Sequence, residues 1–78
     1  MRTAYDIAKA RQKLPPPGER RRIREDAGVT QEALATECGV SQPTLARWER
    51  DAITPRGQHV IKYVRVLRRL ADIMDGRR

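Results

Sequence analysis

The chain has 78 residues, so it holds at most one domain, and a core of this size is marginal enough that such chains often lean on a partner subunit. A formal net charge of +7 and a pI of about 10.8 draw it toward polyanions, and its excess of arginine favours phosphate through the planar fork of donors. No apolar run approaches the roughly 20 residues of a membrane span. The first residues lack the apolar stretch of a secretory signal, and the one cysteine, Cys38, forms no internal disulfide. The expectation is a cytoplasmic protein with no membrane partner.

Five helical stretches are predicted and strand signals are almost absent, which makes the chain all-α. The first covers about Thr3 to Lys13, with Thr3 as cap and Asp6 in the first turn. Ala4, Ile7, Ala8 and Leu14 fall near one of its faces. Pro15, Pro16 and Pro17 end it, because a residue before proline is pushed out of the α region. The second, about Gly18 to Ala27, is dominated by Arg20, Arg21, Arg22 and Arg24, with Ile23 and Ala27 as its apolar pair, and Gly28 closes it. The third, Gln31 to Cys38, has Thr30 as N-cap and turns Leu34, Ala35 and Cys38 inward. The fourth, Gln42 to Arg50, is capped by Ser41, carries Pro43 in its first turn and buries Leu45 and Trp48. Asp51 to Pro55 reads as a loop. The fifth, Gln58 to Met74, carries Val60, Tyr63, Leu67, Leu70 and Met74 in a heptad-like stripe, widened by Ile61, Val64, Val66 and Ile73. A stripe that broad predicts two buried faces. The chain divides into an N-terminal helix or arm with a Pro-rich linker (1–17), a helical domain (18–74) and a basic tail (75–78).

The segment Thr30 to Trp48, TQEALATECGVSQPTLARW, places two short helices around a turn of three to four residues. Helices crossing steeply need a small residue at their contact, and Ala35 supplies it. The tight turn needs positive φ, and Gly39 supplies it. Leu34, Cys38, Val40, Leu45 and Trp48 fill the buried offsets. Together these features predict a helix-turn-helix, with its motif at 30–50.

These residues resemble the Cro/repressor-type helix-turn-helix family of phage and bacterial DNA-binding regulators. The resemblance runs from about Arg20 to Leu67. It rests on Gly28-Val29-Thr30-Gln31, Ala35, Gly39-Val40-Ser41, Leu45, Trp48-Glu49-Arg50 and Pro55. It implies a bundle of four or five helices, operator binding as a homodimer, and repression or activation of transcription. It also implies that Gln31 bonds a backbone phosphate and that Gln42, Thr44 and Arg47 face the major groove. Arg24 and Glu49 would pair to tie the first domain helix to the recognition helix, with Trp48 as the buried anchor. Pro43 stands where the family often has a polar base-reading residue, so one reading contact is expected to be lost there or replaced by apolar contact with a thymine methyl. Asp51 and Ala52 replace a frequent glycine, so a different exit turn is expected. Arg20 replaces an apolar residue, so altered packing of its helix is expected. The extra N-terminal helix and the long basic C-terminal helix lie outside the usual pattern.

The recognition helix reads the same way from its chemistry. Gln42 can bridge an adenine edge and Arg47 can bridge guanine O6 and N7. Arg21, Arg22, Arg50 and Arg56 flank it as phosphate contacts, joined by Thr30 and Ser41 at the helix starts. The apolar surface from Ile61 to Met74 is the candidate dimer face. Cys38 reads as a core thiol, and His59 has no partner at ligand spacing, so no metal is expected. No cofactor, no small-molecule ligand and no catalysis are expected, because nucleophile, base and phosphate-loop patterns are missing. Two other readings stay open. One is a DNA-binding accessory factor (an antitoxin, or a phage excision, recombination or architectural protein). The other is a protein-interaction module, docking through Tyr5, Ile7 and Leu14 or the last helix, with incidental DNA binding.

Overall fold

The computed structural model describes residues 3–76, which form five helices and, among the described residues, no strand. They are α1 (Ala4–Lys13), α2 (Pro17–Asp26), α3 (Gln31–Cys38), α4 (Gln42–Glu49) and α5 (Gln58–Asp75). Arg77 and Arg78, the end of the expected basic tail, lie outside the described residues.

Each helix start has a chemical cause. Thr3 and Asp6 form a reciprocal capping box on α1. The Thr30 hydroxyl accepts from Ala33 N at 3.1 Å, and the Ser41 hydroxyl from Thr44 N at 3.3 Å. Pro17 opens α2 and Pro43 sits in the first turn of α4, where a missing N–H removes no helical bond.

Three successive helices stop in the same way. At the end of α3, Gly39 is left-handed (φ 74°), Val40 N donates to Ala35 O at 3.0 Å, and Gly39 N donates to Thr36 O at 3.1 Å. The end of α2 repeats this pattern around Gly28. The end of α4 keeps it as well, with Ala52 N donating to Arg47 O at 2.9 Å and Asp51 N to Trp48 O at 3.3 Å. The exit turn expected to differ at Asp51 and Ala52 is therefore a left-handed turn of the usual kind. Asp51 itself takes φ 59°, as the one described non-glycine residue with positive φ. Aspartate tolerates this region better than most residues but still carries a Cβ cost. Asp51→Gly should raise stability by about 0.5–1 kcal/mol, a rise of a few degrees in a thermal melt. A fall in melting temperature would show that the aspartate side chain supports the turn.

The core joins α3, α4 and α5 through Leu34, Ala35, Cys38, Leu45, Trp48, Tyr63 and Leu67. Trp48 and Tyr63 stack with ring centroids 4.9 Å apart. Val40, expected inside, is half-buried. The two buried faces expected of α5 are both present: one meets α2 and α3, and the other meets α1. Ile61 and Val64 line a shared groove with Lys9, Ala10 and Lys13 of α1. The buried stripe of α1 is not the one read from the sequence. Ala4 and Ala8 are exposed, whereas Ala10 is 8% exposed between half-buried Ile7 and Leu14. The spacing i, i+3, i+7 puts the small Ala10 at the crossing, where it lets the two backbones approach. Ile7 and Leu14 are thus engaged within the chain.

Burial fixes the ionisation of two core groups. Desolvation pushes the Cys38 thiol from 9.0 to about 11 and pushes the Tyr63 hydroxyl upward as well. Folding therefore favours the protonated thiol. The corresponding stability is complete below pH 9 and should be lost between about pH 9 and 11, by up to about 2–3 kcal/mol from the thiol alone. Denaturant melts across that range check the sign. For a Cys38→Ala variant the loss should be smaller.

Candidate nucleic-acid interface

The turn after α3 brings the N-termini of α3 and α4 to one side of the molecule, where α2 adds Arg21. An open groove of about 350 Å³ there is lined by Arg21, Gln31, Gln42, Pro43, Arg47 and Arg50, with Ala46 and Glu49 behind them. Six of the residues singled out from the sequence as base or phosphate contacts therefore meet in one place. Thr44 lies on the same helix, half-buried, with its hydroxyl 2.9 Å from that of Ser41. Arg22, Thr30, Ser41 and Arg56 are exposed but do not line the groove.

A continuous hydrogen-bonded chain supports this surface from beneath. Arg24 donates to both carboxylate oxygens of Glu49, Nε to Oε2 at 2.5 Å and Nη2 to Oε1 at 3.1 Å, and also donates Nη1 to Val29 O at 2.8 Å. Their side chains are only 10% and 2% exposed. The expected Arg24–Glu49 pair is thus present, bidentate and buried, and it joins α2 to α4. Glu49 in turn accepts from Gln31 Nε2 at 3.0 Å, and Gln31 Oε1 accepts from Gln42 Nε2 at 2.7 Å. Chemistry fixes the sense of the chain. A carboxylate only accepts, so Gln31 must turn its nitrogen to Glu49 and its oxygen to Gln42. Gln42 must then turn its nitrogen inward, and its amide plane is set. Its Oε1 and second amide hydrogen stay free, one acceptor and one donor, which is the pair an adenine edge needs. The hydrogen bonds that Arg24 donates to Glu49 raise its guanidinium pKa, outweighing the lowering by burial.

Sequence reasoning missed one contributor. Arg20 is 7% exposed, donates Nε to Pro15 O at 2.6 Å, and donates Nη1 to Trp48 O at 3.0 Å. The departure from an apolar residue therefore leaves its helix packed. The guanidinium clasps the proline segment to the C-terminal end of α4, where a cation also meets the favourable end of the helix dipole. The signal was available: an arginine at a core-facing position must find acceptors. The remaining arginines of α2 lie outward in exposed pairs, Arg21 with Glu25 at 3.2 Å and Arg22 with Glu19 at 3.4 Å. Such pairs are weak enough to exchange for a phosphate.

Among the described residues, no group of three or more His, Cys, Asp or Glu is placed to hold a metal ion, and no helix is long and apolar enough to cross a membrane. Two short helices locked by a left-handed turn, with the second presented on an open basic face, define a helix-turn-helix. A family model described as helix-turn-helix matches residues 21–72, and the chain belongs to that Cro/repressor-type family of DNA-binding proteins, whose members are typically non-enzymatic. Comparison with curated proteins and with solved structures gives no match.

Proposed function

We propose that this protein is a sequence-specific regulator of transcription that inserts α4 into the major groove of duplex DNA. The observation that carries this reading is the orientation of Gln42 by the Gln31–Glu49–Arg24 chain, beside Arg47 in the same open groove. A base-reading amide is useful only if its donor and acceptor are fixed, and here the hydrogen bond to Gln31 orients them. Gln42 would read adenine, Arg47 guanine, and Pro43 and Thr44 the methyl or polar edge between them. Arg21, Arg22, Arg50 and Arg56 would hold phosphates. Thr30, Gln31 and Ser41 would hold theirs through the backbone amides at two helix starts, with the capping hydroxyls of Thr30 and Ser41 beside them.

Two copies on one operator would place the two α4 helices about 34 Å apart, in successive turns of the groove. A homodimer acting as a repressor of phage or bacterial type in the cytoplasm is the form favoured by the small size of the domain and by its family. The test is selection from a random duplex library at about 0.15 M salt, where weak surface electrostatics are screened. An enriched palindrome supports the dimeric, specific regulator. Retention without enrichment would replace it with an architectural role.

A further inference from the structure

The sides of α5 differ in what covers them. One is taken by α1, and another packs into the core. Between α3 and α5 the surface stays open as a groove of about 500 Å³. Its floor is apolar: half-buried Val29, Val66 and Leu70, the exposed Ala33, and Ile73, which is 53% exposed and among the few large hydrophobic side chains left in solvent. The groove exists because α3 offers only a methyl group at Ala33.

Its rim is strongly one-signed. Lys62, Arg65 and Arg69 stand at i, i+3 and i+7 along the α5 edge, and none forms an ion pair among the described residues. The opposite wall carries a single acid, Glu37. Val66, Leu70 and Ile73, at i, i+4 and i+7, run beside the basic row. From Lys62 to Ile73 the helix rises about 17 Å, enough to seat about three turns of another helix.

We infer that this groove between α3 and α5 is a docking site for an acidic amphipathic helix of a partner protein. The occupant places apolar residues of i, i+3, i+4, i+7 spacing over Ala33, Val66, Leu70 and Ile73, and turns glutamate or aspartate toward Lys62, Arg65 and Arg69. Charge selects this occupant. A second copy seated on this face would set its own Lys62, Arg65 and Arg69 against the same basic rim, so a homodimer would meet through another surface. A nucleic acid would satisfy the rim but leave the apolar floor uncovered. The groove shares none of its lining with the groove over α4, so the inference stands apart from the DNA-binding reading.

A fluorescently labelled 16-residue helical peptide, with leucines at that spacing and glutamates on its flank, tests the site on the full chain in about 0.15 M salt. A peptide with lysines in place of the glutamates is the control. The glutamate peptide should bind at least tenfold tighter than the lysine peptide. Ala33→Phe, an exposed position that fills the floor, should weaken it at least tenfold without changing the affinity for duplex DNA. Arg65→Glu combined with Arg69→Glu should reverse the preference between the peptides, which keeps the test decisive if the Ala33 variant folds poorly. No binding, equal binding of the two peptides, or indifference to both variants would overturn the site. So would light scattering that shows a dimer dissociated by Ala33→Phe, because the occupant would then be a second copy.

Discussion

Glu49→Ala should cost about 3–5 kcal/mol of stability and lower the melting temperature by more than about 12 °C. The Arg24 guanidinium is buried behind α4, and Glu49 takes two of its three hydrogen bonds. Removing the carboxylate leaves a permanent charge in a poorly solvated site, with only Val29 O as acceptor. A domain of this length has a total stability on the order of 4–12 kcal/mol, so the variant should lie close to unfolding at 37 °C. The penalty belongs to the unpaired charge more than to the pair. Arg24→Met added to Glu49→Ala should therefore recover a large part of the loss. Thermal and urea melts of the two variants check both statements. A loss below about 1 kcal/mol for Glu49→Ala would mean that water reaches Arg24.

Arg47→Ala should remove about 1–3 kcal/mol of discrimination at one base pair of the preferred site, a relaxation of about 5- to 150-fold there, with little change at the others. Arg47 is exposed on α4, in the groove that holds Gln42, and its side chain makes no hydrogen bond or ion pair among the described residues, so its removal leaves the fold intact. Arg22→Ala should behave differently. Its guanidinium sits on α2, outside the groove and in an exposed pair with Glu19. Losing it should weaken all duplexes alike and reduce the dependence of affinity on salt by about one counterion. Binding isotherms for both variants, on single-base-pair substitutions of the selected site and at several salt concentrations, separate the two roles. If both substitutions changed all sequences equally, the division between base reading and backbone positioning would be wrong.

What could be read in the sequence follows from how local each signal is. Thr30, Ser41, Pro43 and Gly39 act on backbone groups within four residues of themselves, so the bounds of α3 and the start of α4 were legible. The width of the apolar stripe on α5 gave its two buried faces without saying what covered the second, because packing partners are not local. The face of α1 was misread for the same reason. Ala10 is a weak apolar signal, and only the close approach of α5 makes it the buried position. Arg20 looked like a defect because its acceptors, Pro15 O and Trp48 O, are backbone atoms that carry no residue signature. The turn at Asp51 looked altered because side-chain identity was read, whereas the hydrogen bonds from Asp51 N and Ala52 N need only the φ angle. At the interface, the resemblance to the Cro/repressor-type family supplied the Arg24–Glu49 pair and two residues of the open groove, Gln42 and Arg47, whereas Thr44 lies outside its lining. The link through Gln31 to Gln42 emerged only from the three-dimensional chain of donors and acceptors.

Amide chemical-shift changes during titration of the labelled protein with a selected duplex test most directly whether α4 enters the DNA. The largest changes should fall on Gln31, Gln42, Thr44 and Arg47, with smaller ones at Arg21, Arg22 and Arg50, and with the α3–α5 groove around Ala33, Leu70 and Ile73 unaffected. Changes concentrated on α1 or α5, with α4 silent, would contradict recognition by the helix-turn-helix.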